Sequence, residues 1–192
     1  MFDPCGPVLG IDPGVSRCGY GAVTGRGAAL TAVAYGVIET DPRTPLPERL
    51  ALLAGELDAL VAELGPRAMA VERVLFQTNA RTAISVGQAS GLALVAAASK
   101  GIPVEQYSPN EVKLAVAGHG GADKEQVQLM VTRLLKLATV PRPPDAADAL
   151  ALALCHSWAG PLRDRTADAG GESGPVRGFD RAVQAALARD AR

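Results

Sequence analysis

The chain has 192 residues, 48% hydrophobic and 20% charged, which predicts one soluble globular domain and excludes a chain too polar to bury a core. Its 19 Lys and Arg nearly cancel 20 Asp and Glu for a net charge of −1, and that average alone argues against a nucleic-acid partner. Three cysteines, Cys5, Cys18 and Cys155, lack C-x-x-C spacing, which argues against a disulfide framework or zinc knuckle and fits a reducing, cytoplasmic setting.

Met1-Phe2-Asp3-Pro4 has neither the basic start nor the apolar run of an export signal, and the richest apolar stretch, Ile84 to Ala98, is broken by Ser85, Gln88 and Ser90, so no membrane span is expected. Val8 to Asp12 is a short apolar run ended by Pro13-Gly14. β-like stretches follow at Gly19 to Thr24 and Leu30 to Glu39, separated by Gly25-Arg26-Gly27, and the three together predict an antiparallel meander. After Pro45-Leu46-Pro47-Glu48, Leu50, Leu53, Leu57, Leu60 and Leu64 recur every three or four residues until Gly65-Pro66, the pattern of an amphipathic helix. Ala68 to Val74 reads as a buried strand carrying one acid, Glu72, and Ala80 to Lys100 as a long helix of small residues. Val104 to Tyr107 supplies a fifth strand; Asn110 to Val116, Lys124 to Leu137 and Pro144 to Trp158 read as helices. Three β elements followed by alternating α and β give an α/β class, a mixed five-stranded sheet flanked by helices. This domain occupies residues 1–158. The Gly/Pro/Arg/Ala-rich tail, residues 159–192, is expected to be mostly disordered, although Phe179, Val183, Ala186 and Leu187 share a helical face.

Four carboxylates stand in apolar or small-residue surroundings where an ionised acid is costly unless it meets a cation. Asp12 ends a strand, Glu72 lies in Ala70-Val71-Glu72-Arg73-Val74, and Asp145 and Asp148 share one face of a helix start at i, i+3, where the helix dipole favours negative charge. Singly, Asp12 reads as a turn-former, Glu72 as an acid alternating outward and Asp145 as a first-turn acid. Jointly they suit hard cations, because Mg²⁺ takes oxygen ligands and a two-metal site needs several carboxylates; two-metal sites hydrolyse phosphodiesters. No His/Cys cluster competes for a softer metal, and His119 and His156 read as incidental. Lys113, in Glu111-Val112-Lys113, and Lys124, after the Gly-rich 118–121 loop at a helix start, are placed to reach a phosphate, though lysines are commonly just solvated.

These residues carry a resemblance. Leu9-Gly10-Ile11-Asp12-Pro13-Gly14, Cys18-Gly19-Tyr20-Gly21, Val71-Glu72, Gly87-Gln88-Ala89-Ser90-Gly91, Tyr107-Ser108-Pro109, Asp123-Lys124-Glu125-Gln126-Val127 and Asp145-Ala146-Ala147-Asp148-Ala149-Leu150-Ala151 resemble, in order, the strings of RuvC-type Holliday-junction resolvases. The resemblance covers roughly residues 8 to 158. It implies an RNase H-like fold, a homodimer, and nicking of two opposed strands of a four-way DNA junction to leave 5′-phosphate and 3′-hydroxyl ends, during recombination and DNA repair. It also implies two Mg²⁺ per subunit, with Mn²⁺ as a substitute, and a handover from the RuvA–RuvB branch-migration complex. Asp12, Glu72, Asp145 and Asp148 match the family's metal-binding catalytic acids, and Lys113 and Lys124 its basic residues near the scissile phosphate. Phe76 is the candidate for the family's junction-wedging aromatic, with Arg73 and Asn79 as further DNA contacts; the plainer reading has Phe76 capping the core. The Gly87-x-x-x-Gly91 pair permits close backbone approach and, on the resemblance, belongs to a dimer seam.

Two rivals use the same residues. Asp12-Pro13-Gly14-Val15-Ser16 fits the phosphate loop of actin-like ATPases and sugar kinases, but those need two lobes, more than 192 residues comfortably supply. A non-catalytic junction-binding module would have no evident need for all four acids. The near-zero charge is itself an average, since residues 1–66 carry a net −4 and residues 67–142, which contain both lysines, a net +4. Near-neutrality therefore does not exclude DNA.

Overall fold

A computed structural model describes residues 6–27, 29–74 and 80–169. The apolar run at the start becomes β1 (Val8–Asp12), which turns through Pro13-Gly14 into β2 (Arg17–Thr24) and on to β3 (Thr31–Glu39). All three pair antiparallel, as the turn spacing predicts. Helix α1 (Leu46–Leu64) follows, its leucine stripe directing Leu53, Leu57 and Val61 inward, and Gly65 ends it in the left-handed conformation with its N–H bonded to the Val61 carbonyl. β4 (Ala68–Glu72), α2 (Ala80–Ala98) and β5 (Val104–Tyr107) complete the alternation, and β4 pairs parallel with both β1 and β5. The sheet order is β3-β2-β1-β4-β5. This mixed sheet, covered on both faces by helices, is the RNase H-like arrangement expected.

β4 stops two residues before the expected Val74. The Arg73 N–H still donates to the Tyr107 carbonyl at 2.8 Å, but β5 ends there because Ser108 caps the next helix, leaving no strand for residue 74 to pair with. That helix, α3 (Pro109–Ala117), opens on a capping box in which the Glu111 N–H donates to Ser108 Oγ and the Ser108 N–H donates to Glu111 Oε2 at 2.8 Å. Helix α4 (Lys124–Leu134) has the same device, Asp123 with Gln126, which sets Lys124 at its first position. It ends three residues before the expected Leu137, because Lys136 takes a left-handed backbone, φ 53°, and the Leu137 N–H folds back to the Thr132 carbonyl. The last helix, α5 (Pro144–Ala169), runs through Gly160-Pro161, where the sequence predicts a stop after Trp158.

Period-two alternation divides the apolar residues between two cores. Leu9, Ile11, Met69 and Val71 face Leu53, Leu57 and Val61 of α1 and Ala89, Ala93 and Ala97 of α2. Val8, Val23, Ala70 and Tyr107 face α3, α4 and α5 through Val112, Val116, Val127, Val131, Leu150 and Leu154. On this second side α5 lies against backbone. A Cβ at Gly10 would overlap the Ala149 carbonyl oxygen and fall 2.8 Å from the Ala153 nitrogen, and one at Gly21 would fall 2.7 Å from the Leu150 nitrogen. Glycine on the strands and buried alanine at 146, 147, 149, 151 and 153 on the helix are what permit this separation. The Trp158 indole N–H, donating to the Gly27 carbonyl at 3.1 Å, ties the helix to the β2–β3 turn.

The chain divides into two compact units, Met1–Gly160 and Pro161–Arg192. The expected tail, residues 159–192, begins within α5, which continues to Ala169; the rest of it, with the face formed by Phe179, Val183, Ala186 and Leu187, lies outside the described residues.

Candidate active site

Parallel pairing of β1 with β4 sets Ile11 beside Val71, so the next step along each strand sets Asp12 beside Glu72. Both follow the parity of Val8, Gly10 and Ala70 and therefore face α5, at the carboxyl ends of adjacent parallel strands, where open α/β sheets characteristically form sites. The close seat of α5 on the glycines then brings Asp148 from above. Asp12, Glu72 and Asp148 line one cleft of about 370 Å³ with Lys113 from α3 and Lys124 from α4, and Val112, Val127 and Leu152 form part of its apolar wall. Six sequence-predicted residues are involved here, of which Asp145 alone is not part of the lining. Its Oδ2 is held at 3.2 Å by Arg17 Nη2.

The electrostatics follow from burying like charges together. Asp12 is pushed up to about 8, first by burial and then by the charges of Glu72, Asp148 and Asp145, and it shares a side-chain hydrogen bond with Glu72. Burial also raises Glu72, against which the bond to Asp12 and the charge of Lys124 pull downward. Asp148 is raised by burial despite its ion pair with Lys124, Nζ to Oδ2 2.7 Å. Burial would lower Lys124, but the bond to Asp148 and the surrounding carboxylate charge outweigh it and leave it raised. This cluster of carboxylates stands in want of positive charge, and its donors are all hard oxygen, the set a divalent cation such as Mg²⁺ prefers. Among the described residues no group of three His, Cys, Asp or Glu is closed tightly enough round one point to hold an ion as it stands. Two of the carboxylates are paired with basic side chains, Asp148 with Lys124 and Asp145 with Arg17.

The remaining predicted contacts separate. Arg73 is turned to β5 and α3, its Nη2 donating to the Gln106 carbonyl at 2.8 Å and its Nη1 3.9 Å from Glu111 Oε2. Phe76 and Asn79 lie outside the described residues. His119 is exposed in the 118–121 loop, while His156 is anything but incidental to packing: its Nδ1 is 2.9 Å from the hydroxyl of fully buried Tyr107. Arg17 escapes the sequence reading altogether. Its signal is register, since Asp12 pairs with Gly19 and Arg17 lies two residues earlier on the same face of β2.

The family model for Crossover junction endodeoxyribonuclease RuvC matches residues 8–156. The chain belongs to the RuvC family. The crossover junction endodeoxyribonuclease RuvC of Salinispora arenicola is 57% identical over 163 residues, 84% of this chain and 93% of that relative, and that of Rhodococcus opacus is 50% identical over 163 residues, 84% and 86%. The solved structure of T. thermophilus RuvC in complex with Holliday junction substrate superposes with a TM-score of 0.78 at 40% identity, covering 82% of this chain and 96% of that one. As a RuvC-family member the chain is an endodeoxyribonuclease, and a metal-dependent one. Neither the nucleotide-binding rival nor the non-catalytic module is favoured by a RuvC match that spans every acid of the cleft. No described helix is long and apolar enough to cross a membrane.

Proposed function

We propose that this chain resolves four-way DNA junctions by nicking two opposed strands, leaving 5′-phosphate and 3′-hydroxyl ends, in recombinational repair. The observation that carries the reading is the cleft in which Asp12, Glu72 and Asp148 meet Lys113 and Lys124, in a chain of this family. Asp12, Glu72, Asp145 and Asp148 are the residues that would hold the metal, two Mg²⁺ per subunit with Mn²⁺ as a substitute. Bound there, Mg²⁺ supplies positive charge for the attacking water and the leaving oxygen of an in-line displacement. Lys113, which forms no described ion pair, meets a phosphate entering the cleft. Lys124, paired with Asp148 at 2.7 Å, would turn to the phosphate if that carboxylate held a cation, and its fixed charge would stabilise the crowded phosphorus of the transition state. On the family resemblance, Arg73, Phe76 and Asn79 would extend the DNA contact beyond the cleft.

Paired nicks call for two copies of the site, and a two-fold homodimer supplies them. The support is α2, where a Cβ at Gly87 or Gly91 would meet nothing within 4 Å and Ile84 and Val95 are 62% and 66% exposed, an apolar face left open among the described residues. The working setting is the cytoplasm, the nuclease domain is residues 1–158, and junctions arrive from the RuvA–RuvB branch-migration complex. The test compares Mg²⁺-dependent cutting of a synthetic four-way junction with that of a duplex of matched sequence. Symmetric, ligatable nicks in the junction alone are expected; equal cutting of the duplex would overturn junction selectivity.

A further inference from the structure

We propose that Arg17 is a positioning residue for metal capture, holding the Asp145 carboxylate in the orientation a cation requires. The inference rests on Asp145 being a metal ligand, as proposed above, and concerns how that ligand is kept in place.

Alternation puts Arg17, Gly19 and Gly21 on one face of β2, the face under α5. Gly19 is the seat: a Cβ there would overlap the Asp145 carbonyl oxygen and lie 3.2 Å from Asp145 Cβ, so the first turn of α5 rests directly on strand backbone. Arg17 is the clamp, with Nη2 3.2 Å from Asp145 Oδ2 and 4.0 Å from Glu39 Oε1 on the neighbouring strand. The turn that delivers Arg17 is itself braced. Thr40 Oγ1 donates to the Val15 carbonyl at 2.6 Å, the Thr40 N–H donates to the Ser16 carbonyl at 3.1 Å, and Arg49 donates to Ser16 Oγ at 2.6 Å and Thr40 Oγ1 at 2.9 Å. A guanidinium carried on so fixed a base has a defined position as well as a permanent charge.

An aspartate in the first turn of a helix otherwise turns back to the free N–H groups there. Engaging Oδ2 removes that freedom and leaves the second oxygen for a cation. Asp145 and Asp148 thus each have a basic partner, but of different kinds. Lys124 is a flexible ammonium suited to changing partners, whereas Arg17 is braced and stays. Because Arg17 is 46% exposed at its side chain, the ion pair contributes little to stability, so an orienting role and a merely structural one make different predictions.

The experiment measures Mn²⁺ binding, by calorimetry and by the spin-resonance signal of free Mn²⁺, in wild type and in Arg17→Ala, Arg17→Gln, Arg17→Lys and Asp145→Asn. For the Ala and Gln variants the dissociation constant is expected to rise about tenfold, as for other groups that orient a metal ligand. Arg17→Lys recovers part of the loss, while metal-free unfolding and metal-free junction affinity stay at wild-type values. Unchanged or tighter Mn²⁺ binding in Arg17→Ala and Arg17→Gln overturns the proposal, as does a matching loss of metal-free junction affinity, which would make Arg17 a phosphate contact. If Asp145→Asn binds Mn²⁺ like wild type, the ligand reading itself fails; if Asp145→Asn loses binding and the Arg17 variants do not, only the positioning role fails.

Discussion

Asp12 is the residue at which folding and function pull in opposite directions. Held between Glu72 and Asp148 and largely out of water, its carboxyl rises from the usual 3.8 to about 8 in the cation-free protein, with burial the leading cause. Between those values the folded chain keeps a proton that the unfolded chain has released, so stability contributed at this site falls as pH rises through that window and is flat above it. A bound divalent cation removes the penalty. Mg²⁺ is therefore expected to raise the melting temperature more near pH 8 than near pH 6, about where Asp12 is ionised and where it is not; equal increments would contradict the assignment. Asp12→Asn should lower junction cleavage by at least about 100-fold, since even groups that only support a metal ligand cost 10- to 100-fold, while junction binding measured by gel shift survives. The same variant should melt higher than wild type without metal, having lost a buried like charge. At Lys124, which is tied to Asp148 at 2.7 Å, replacement by Ala should slow single-turnover cleavage by about 100-fold and change junction affinity only about threefold. Equal losses would make it a simple phosphate contact.

Among the elements, α5 and β2 decide the geometry of the site. The helix carries Asp145 and Asp148 near its start and the strand carries only glycines and an arginine opposite them, yet the separation between the two fixes how far Asp148 reaches over Asp12 and Glu72. Gly10→Ala is expected to destabilise the protein by about 3 kcal/mol in urea unfolding, because the new methyl overlaps the Ala149 carbonyl and two pieces of backbone must part. A loss under about 0.5 kcal/mol, the range of an ordinary surface change, would mean that α5 is not seated as described. Most elements are legible in the sequence because their signals are local. The leucine stripe of α1, the alternation of β1 and the serine and aspartate caps of α3 and α4 each act within a few residues. The boundaries that differ carry no such signal. β4 ends where β5 runs out as a partner, α4 ends at the left-handed Lys136, and α5 passes through a Gly-Pro step that reads locally as a stop.

At the scale of the molecule, one side of the sheet holds the acidic cleft and the other carries α2, whose outer face is open among the described residues. Ile84 and Val95 of α2 stand more than half exposed, and the Gly87 and Gly91 between them leave a shallow apolar trough suited to a second copy. On the dimer proposed above, Val95→Asp should leave only monomers in sedimentation at micromolar concentration, with the subunit's own stability changed by less than about 0.5 kcal/mol, as for a solvated surface position. Coincident loss of paired nicking would link the assembly to the reaction, and an unchanged sedimentation coefficient would exclude this face. The net charge of −1 conceals a division along the chain, −4 over residues 1–66 and +4 over residues 67–142, the stretch that supplies Lys113 and Lys124 to the cleft. Fold class, strand order of the meander, the identity of the four acids and the two lysines beside them are all legible in the linear order, since hydrophobic period, capping residues and acids in apolar runs are local patterns. Which acids share the cleft, that Asp145 is paired with Arg17, and that glycines on β1 and β2 set the height of α5 came only with the tertiary structure. Those relations depend on register between strands and on distances between backbones far apart in sequence, and no local pattern encodes a distance between two elements that meet only after the chain has folded.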